Sequence, residues 1–246
     1  AWVENPYFQA FCGERFFQHR LPLDRSSMTR WRKRIGAERL EVLLADTLAI
    51  ALDSGATKPA AMERVTIDTT VQTKAVAYPT DGHLMLRAIE RVTTLARQQG
   101  VTLRQSYARV ARHARREAAR LLHGRGHKQG MRWLRKLRTY LGRVIRDVMR
   151  KIEDDPAREA IFAETMERAR RIHGQRPGDA DKLYAFHAPE VECIARGKAR
   201  ARYEFGVKTS FAVTNARGPG GQFVLGARTL PGNPYDGHSL AAQIDQ

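Results

Sequence analysis

Two aspartates occupy positions where a carboxylate could do chemistry. Asp68 lies in Val65-Thr66-Ile67-Asp68-Thr69-Thr70-Val71. The pattern over 62–67 predicts a short strand with Asp68 at its end. A carboxylate there is held by a rigid element yet reaches solvent, which suits a Mg²⁺ ligand. An aspartate that merely caps a turn after a strand fits the same pattern, and both readings stay open. Asp236, in Gly232-Asn233-Pro234-Tyr235-Asp236-Gly237-His238, follows a β-rich stretch and precedes a helix. A turn or helix-entry role competes with a chemical one there too.

Other reactive types carry less. His113, His123 and His127 lie among arginines without zinc-ligand spacing, and His238 stands alone beside a glycine. Cys12 and Cys193 form neither a metal pair by spacing nor a disulfide framework. The glycines at 124–130 lack the Gly-Lys-Ser/Thr ending and the preceding strand of a nucleotide loop. No Gly-x-Ser-x-Gly elbow is present.

Arginine is the dominant signal. The chain has 246 residues with 43 Lys+Arg against 26 Asp+Glu, a net of +17. Residues 104–151 hold sixteen of those cations and two acids, a local net of +14. Such a field attracts polyanions, and nucleic acid is the expected partner. An apolar content of 42% is enough for a folded core. No apolar run reaches the ~18 residues of a membrane span, so a cytoplasmic chain is expected. It begins at Ala1 rather than Met, which fits a piece of something longer.

The elements that must carry these residues follow from periodicity. Residues 1–36 read as a small helical module with Tyr7, Phe8, Phe11, Phe16 and Phe17 as aromatic core. Its second helix, capped by Asp24 or Ser26, sets Met28, Trp31 and Ile35 at helical spacing among Arg30, Arg32 and Arg34, compatible with a helix-turn-helix. Leu40, Leu43, Leu44, Leu48 and Ala51 continue as a helix that stops at Gly55. A helix over 79–100 is followed by a basic helical hairpin over 103–152, broken at 124–130. Asp155-Pro156 starts another, with Ile161, Thr165, Ala169 and Ile172 on its face. Alternation over 203–214 and 223–228, around the turn Asn215–Gly221, predicts a β-hairpin. Ser239 starts a last helix. The expected class is α+β.

Four stretches together resemble the DDE transposases of bacterial insertion sequences, of the IS-five group. They are Asn5-Pro6-Tyr7-Phe8-Gln9 through Arg25–Arg32; Ile67-Asp68-Thr69-Thr70-Val71-Gln72; Leu183-Tyr184-Ala185-Phe186-His187-Ala188-Pro189-Glu190-Val191-Glu192-Cys193-Ile194 to Tyr203–Lys208; and Gly218-Pro219-Gly220-Gly221-Gln222-Phe223-Val224-Leu225-Gly226-Ala227 with Leu230–His238. The likeness extends over nearly the whole chain.

The resemblance implies a helical DNA-binding module over 1–55. A partial ribonuclease-H-like domain would follow over 56–246, with a basic helical insertion over about 82–175. It makes Asp68 the first catalytic carboxylate, serving two Mg²⁺ ions about 3.5–4 Å apart at which DNA is cut and joined. The second aspartate and the glutamate of that pattern would lie beyond Gln246. Asp236 matches a family motif without being the second catalytic aspartate. On this reading the chain is an inactive portion of a transposase, and a non-catalytic, sequence-specific DNA-binding remnant is the rival. The partner would be double-stranded DNA, with homo-oligomers in the complete protein. Arg132, Arg135, Arg138 and Arg143 are the expected phosphate contacts. Arg30, Arg32 and Arg34 are the expected readers of sequence.

Overall fold

The structure is a computed structural model that describes residues 2–196, 203–216, 218 and 221–244. The chain is α+β and divides into two compact units, residues 1–67 with 211–227 and residues 68–210 with 228–246.

The first unit opens with α1 (Pro6–Phe11), capped by Asn5, whose Oδ1 accepts the Tyr7 and Phe8 N–H groups. The expected aromatic core does not form there. Tyr7, Phe11 and Phe16 are 83%, 93% and 80% exposed. Buried in their place is Gln9. Its amide donates to the carbonyls of Trp2 and Gln18 at 3.1 and 2.9 Å and accepts the Gln18 N–H at 2.6 Å. A six-residue helix is too short to present an apolar stripe, whereas one primary amide can satisfy several backbone groups at once.

The next helix, α2 (Arg25–Asp53), starts at Asp24, which accepts the Ser26 N–H at 2.8 Å. It is interrupted at Gly36, whose φ of 72° and ψ of 177° lie outside helical geometry. Only glycine adopts that conformation cheaply, so the two expected helices meet at this kink. The apolar face expected over 40–51 is mostly uncovered: Leu40 and Leu43 are exposed and Ala51 is buried.

The second unit carries the core. Its helices are α3 (Asp81–Gln98), α4 (Ala108–Leu122), α5 (His127–Ile152) and α6 (Pro156–Gly174). Thr80 and Asp155 cap α3 and α6 through side-chain oxygens, which supply partners for otherwise orphaned N–H groups. Helix α3 packs on α4, α5 and α6, and α5 packs on α4 and α6. Ile89, Val92, Leu137, Leu141, Val144, Val148 and Phe162 are wholly buried between them. Each such large side chain contributes about 1.5–3 kcal/mol relative to exposure. On α6 the buried face is Phe162, Met166, Ala169 and Ile172, while Ile161 is exposed and Thr165 half-buried. The expected face was therefore wrong at those two positions: Phe162, with more apolar surface to bury, turns inward.

Beyond α6, Gln175 is buried, and its amide bonds both the N–H and the carbonyl of Leu183, at 3.1 and 3.3 Å. This ties the following loop to the bundle.

The strands are β1 (Val65–Thr73), β2 (Glu192–Arg196), β3 (Tyr203–Thr214) and β4 (Val224–Leu230). They form one sheet in which β3 pairs with the other three. Strand β2 runs antiparallel to β3, with Glu192 opposite Gly206 and a register shift between Cys193 and Ala195. At Gly206 an added Cβ would overlap the Gln72 carbonyl of β1, so the two strands approach there as only glycine permits. The β3–β4 hairpin forms where the alternation predicts it. Arg217, Pro219 and Gly220 of its expected turn lie outside the described residues. Strand β1 runs past its expected end because Thr69, Thr70, Val71 and Thr73 continue the β-branched pattern. Asp68 thus sits within the strand, not at its terminus. A final helix, α7 (Asp236–Ile244), follows β4.

Candidate functional site

Side chains alternate along β1, and the alternation decides where each carboxylate points. Ile67, Thr69 and Val71 are half-buried, while Thr66, Asp68 and Thr70 are exposed. Asp68 therefore projects from the open face. Its Oδ1 accepts the backbone N–H of Thr69 at 2.8 Å.

Asp236 belongs to the other face. Its Oδ1 accepts the Thr69 hydroxyl at 3.1 Å and meets Lys208 Nζ at 2.5 Å. Lys208 is buried and also donates to the Pro234 carbonyl at 2.6 Å. The Lys208 hydrogen bond, aided by Thr69 and opposed by slight burial, holds the Asp236 carboxyl below the usual range. Asp236 fastens the start of α7 to β1 and β3.

Both aspartates thus engage Thr69, Asp68 through the backbone N–H and Asp236 through the hydroxyl, and the strand pleat sends the Asp68 and Thr69 side chains to opposite faces. Among the described residues no three of His, Cys, Asp and Glu gather where a metal ion could sit. A paired Mg²⁺ centre does not fit these residues: Asp68 offers one carboxylate with one oxygen already engaged.

The arginines divide by helical period. Along α5, Arg132, Arg135 and Arg143 lie within one exposed stripe, since separations of three, eight and eleven residues at about 100° per residue keep them within about 80° of one another. Arg138 does not join them. It is half-buried and donates to the Gln175 carbonyl at 3.0 Å, so its guanidinium secures the loop after α6.

Three cations that the sequence reading passed over complete the stripe: Lys136, Arg146 and Arg150, all exposed. The period alone would have found them. Lys136 lies over the Trp133 ring at 4.3 Å, and Arg143 donates to the Tyr107 hydroxyl at 3.3 Å. The acids of α4 and α5 are Glu117 and Asp147. Glu117 pairs with Arg120 at 2.7 Å. Asp147 is buried and accepts the Arg104 backbone N–H at 2.8 Å. Asp147 also meets Arg150 of the stripe at 3.6 Å, while the other five cations make no ion pair among the described residues.

On α2, Arg30, Arg32 and Arg34 are exposed. Arg30 and Arg34 share a face, and Arg30 donates to the Ser26 hydroxyl at 2.8 Å. Arg32 lies about 160–200° around the helix from both. The structure does not bring the three together.

The chain is similar to a rhizobial protein. Over 124 residues, half of this chain, it is 52% identical to the uncharacterized protein ORF8 in the nfe locus of Rhizobium meliloti. The chain spans about 60% of that relative's length. No protein-family profile matches the chain, and no solved structure matches it. No helix among the described residues is long and apolar enough to cross a membrane.

Proposed function

We propose that this chain is the DNA-binding part of a transposase of the DDE class and that its own task is to hold double-stranded DNA. The observation that carries the reading is the α5 stripe of Arg132, Arg135, Lys136, Arg143, Arg146 and Arg150, exposed along one helix face. Its apolar back is buried in the bundle, so the cations are presented by a rigid element. Rows of this kind bind the phosphate backbone by releasing condensed counterions. The antiparallel strands β1, β3 and β4, with Asp68 on β1 and a helical insertion between β1 and β3, agree with the opening strands of a ribonuclease-H-like sheet. The isolation of Asp68 favours a second reading, a DNA-binding protein without strand chemistry.

Binding of the full chain to a random 30-base-pair duplex tests the proposal. With six phosphate contacts the affinity should fall about a thousandfold between about 50 and 200 mM salt. Replacing Arg132, Arg135 and Arg143 by alanine should flatten the logarithmic salt slope by about 2.7, at roughly 0.9 per contact. An unchanged slope removes α5 from the interface. Residues 1–246 alone should not cut DNA in Mg²⁺, and robust Mg²⁺-dependent cleavage would overturn the non-catalytic assignment of this chain.

A further inference from the structure

The second unit has a cleft of about 1240 Å³, walled by α3, the loop over 100–106, the start of α4 and residues 184–187. It does not include the α5 stripe. Five arginines line it, Arg87, Arg91, Arg97, Arg104 and Arg112, against one carboxylate, Glu90. Glu90 is held between Arg87 and Arg112, at 3.0 Å from each, and its charge is spent there. Arg91 and Arg97 are exposed on α3 and make no ion pair among the described residues. Arg104 meets Asp147 only at 4.0 Å, with its side chain 78% exposed. Polar neutral groups, Thr94, Gln105 and Ser106, lie between these cations. Half-buried Tyr184 and buried Phe186 also line it, Tyr184 packed against Phe205 and Phe186 within the bundle core.

A concave cationic wall interleaved with neutral polar side chains is suited to tracking a single nucleic-acid strand, with guanidinium groups on the phosphates. A duplex presents a convex surface better matched by the straight α5 stripe than by a cleft. We infer that this cleft holds a single strand of DNA by its phosphodiester backbone, with Arg91, Arg97 and Arg104 as the contacts. The inference rests on the DNA-binding reading above and adds a second surface to it, one that adjoins the stripe at Asp147, which both Arg104 and Arg150 approach.

The test uses the full chain and two fluorescent probes, a 20-nucleotide thymidine strand and a 20-base-pair duplex, across a salt series. The variant is Arg91→Glu with Arg97→Glu, and Arg91→Gln with Arg97→Gln serves as the milder pair. Both positions are exposed, and circular dichroism checks the fold. The charge-reversed pair should weaken single-strand binding at least about tenfold. The glutamine pair should lower the single-strand salt slope by about 1.4, at roughly 0.7 per contact. Duplex affinity should change less than about threefold. Wild-type single-strand binding that survives both variants overturns the cleft and leaves the α5 reading intact. Equal losses on strand and duplex overturn the single-strand assignment. Failure of the wild-type chain to bind either probe overturns this inference and the reading beneath it.

Discussion

His173 on α6 shows how burial and charge combine at one residue. Its imidazole is pushed below the ordinary value of 6.5, first by burial and then by the fields of Arg138 and Arg146. His83 on α3 is lowered in the same way, by burial and then by Arg87 and Arg115. A depressed value means that the folded chain binds fewer protons than the unfolded one between the two pKa values. The resulting stability is fully present above 6.5 and is lost as pH falls through the folded values. Carboxylates titrate lower, so the window from about pH 7 to 5 isolates the imidazoles. The thermal midpoint should fall across that window, and His83→Gln with His173→Gln should flatten the fall. If the double variant keeps the wild-type slope, these two groups do not link protonation to folding.

At the scale of the element, α6 separates two adjacent residues that hydropathy treats alike. Phe162 is wholly buried in the bundle, while Ile161 is 48% exposed. Phe162→Ala should lower the unfolding free energy by about 3–5 kcal/mol through lost burial and a residual cavity. Ile161→Ala should cost under about 1 kcal/mol. Urea unfolding of the two variants checks the pair, and equal losses would mean that the helix is rotated from the orientation described. The hairpin of α4 and α5 follows the same logic from the other side. Its inward faces are aliphatic, so most of its cations stay outside in water, half-buried Arg138 being an exception. The net charge of residues 104–151 is thereby turned into a hydrated surface, whose remaining cost is mutual repulsion, screened by salt.

Across the whole molecule, the buried apolar residues are concentrated in the second unit. Of the largest fully buried side chains, all but Gln9 lie between residues 85 and 191. The first unit depends instead on caps, on the Gln9 hydrogen bonds and on a helix kinked at Gly36. Protection from hydrogen exchange follows the density of buried contacts. The slowest amides should therefore fall in α3, α5 and α6, while those of α1 and α2 should exchange orders of magnitude faster. Comparable protection in α2 would show that its apolar face is covered in solution.

The helices of the bundle, the β3–β4 hairpin and the concentration of positive charge were already legible in the order of the amino acids. These depend on local period, on caps such as Asp155-Pro156 and on composition, which act over a few residues. That order also singled out Asp68 and Asp236, but not their relation. The tertiary structure put them on opposite faces of β1, because the pleat sends successive side chains apart and only the pairing with Lys208 fixes which face is engaged. It also drew Arg138 away from the exposed row of cations on α5, left the α1 aromatics exposed and gathered Arg91, Arg97 and Arg104 around one cleft. Each of these outcomes depends on partners distant along the chain, and such partners carry no periodic signature that could be read in advance.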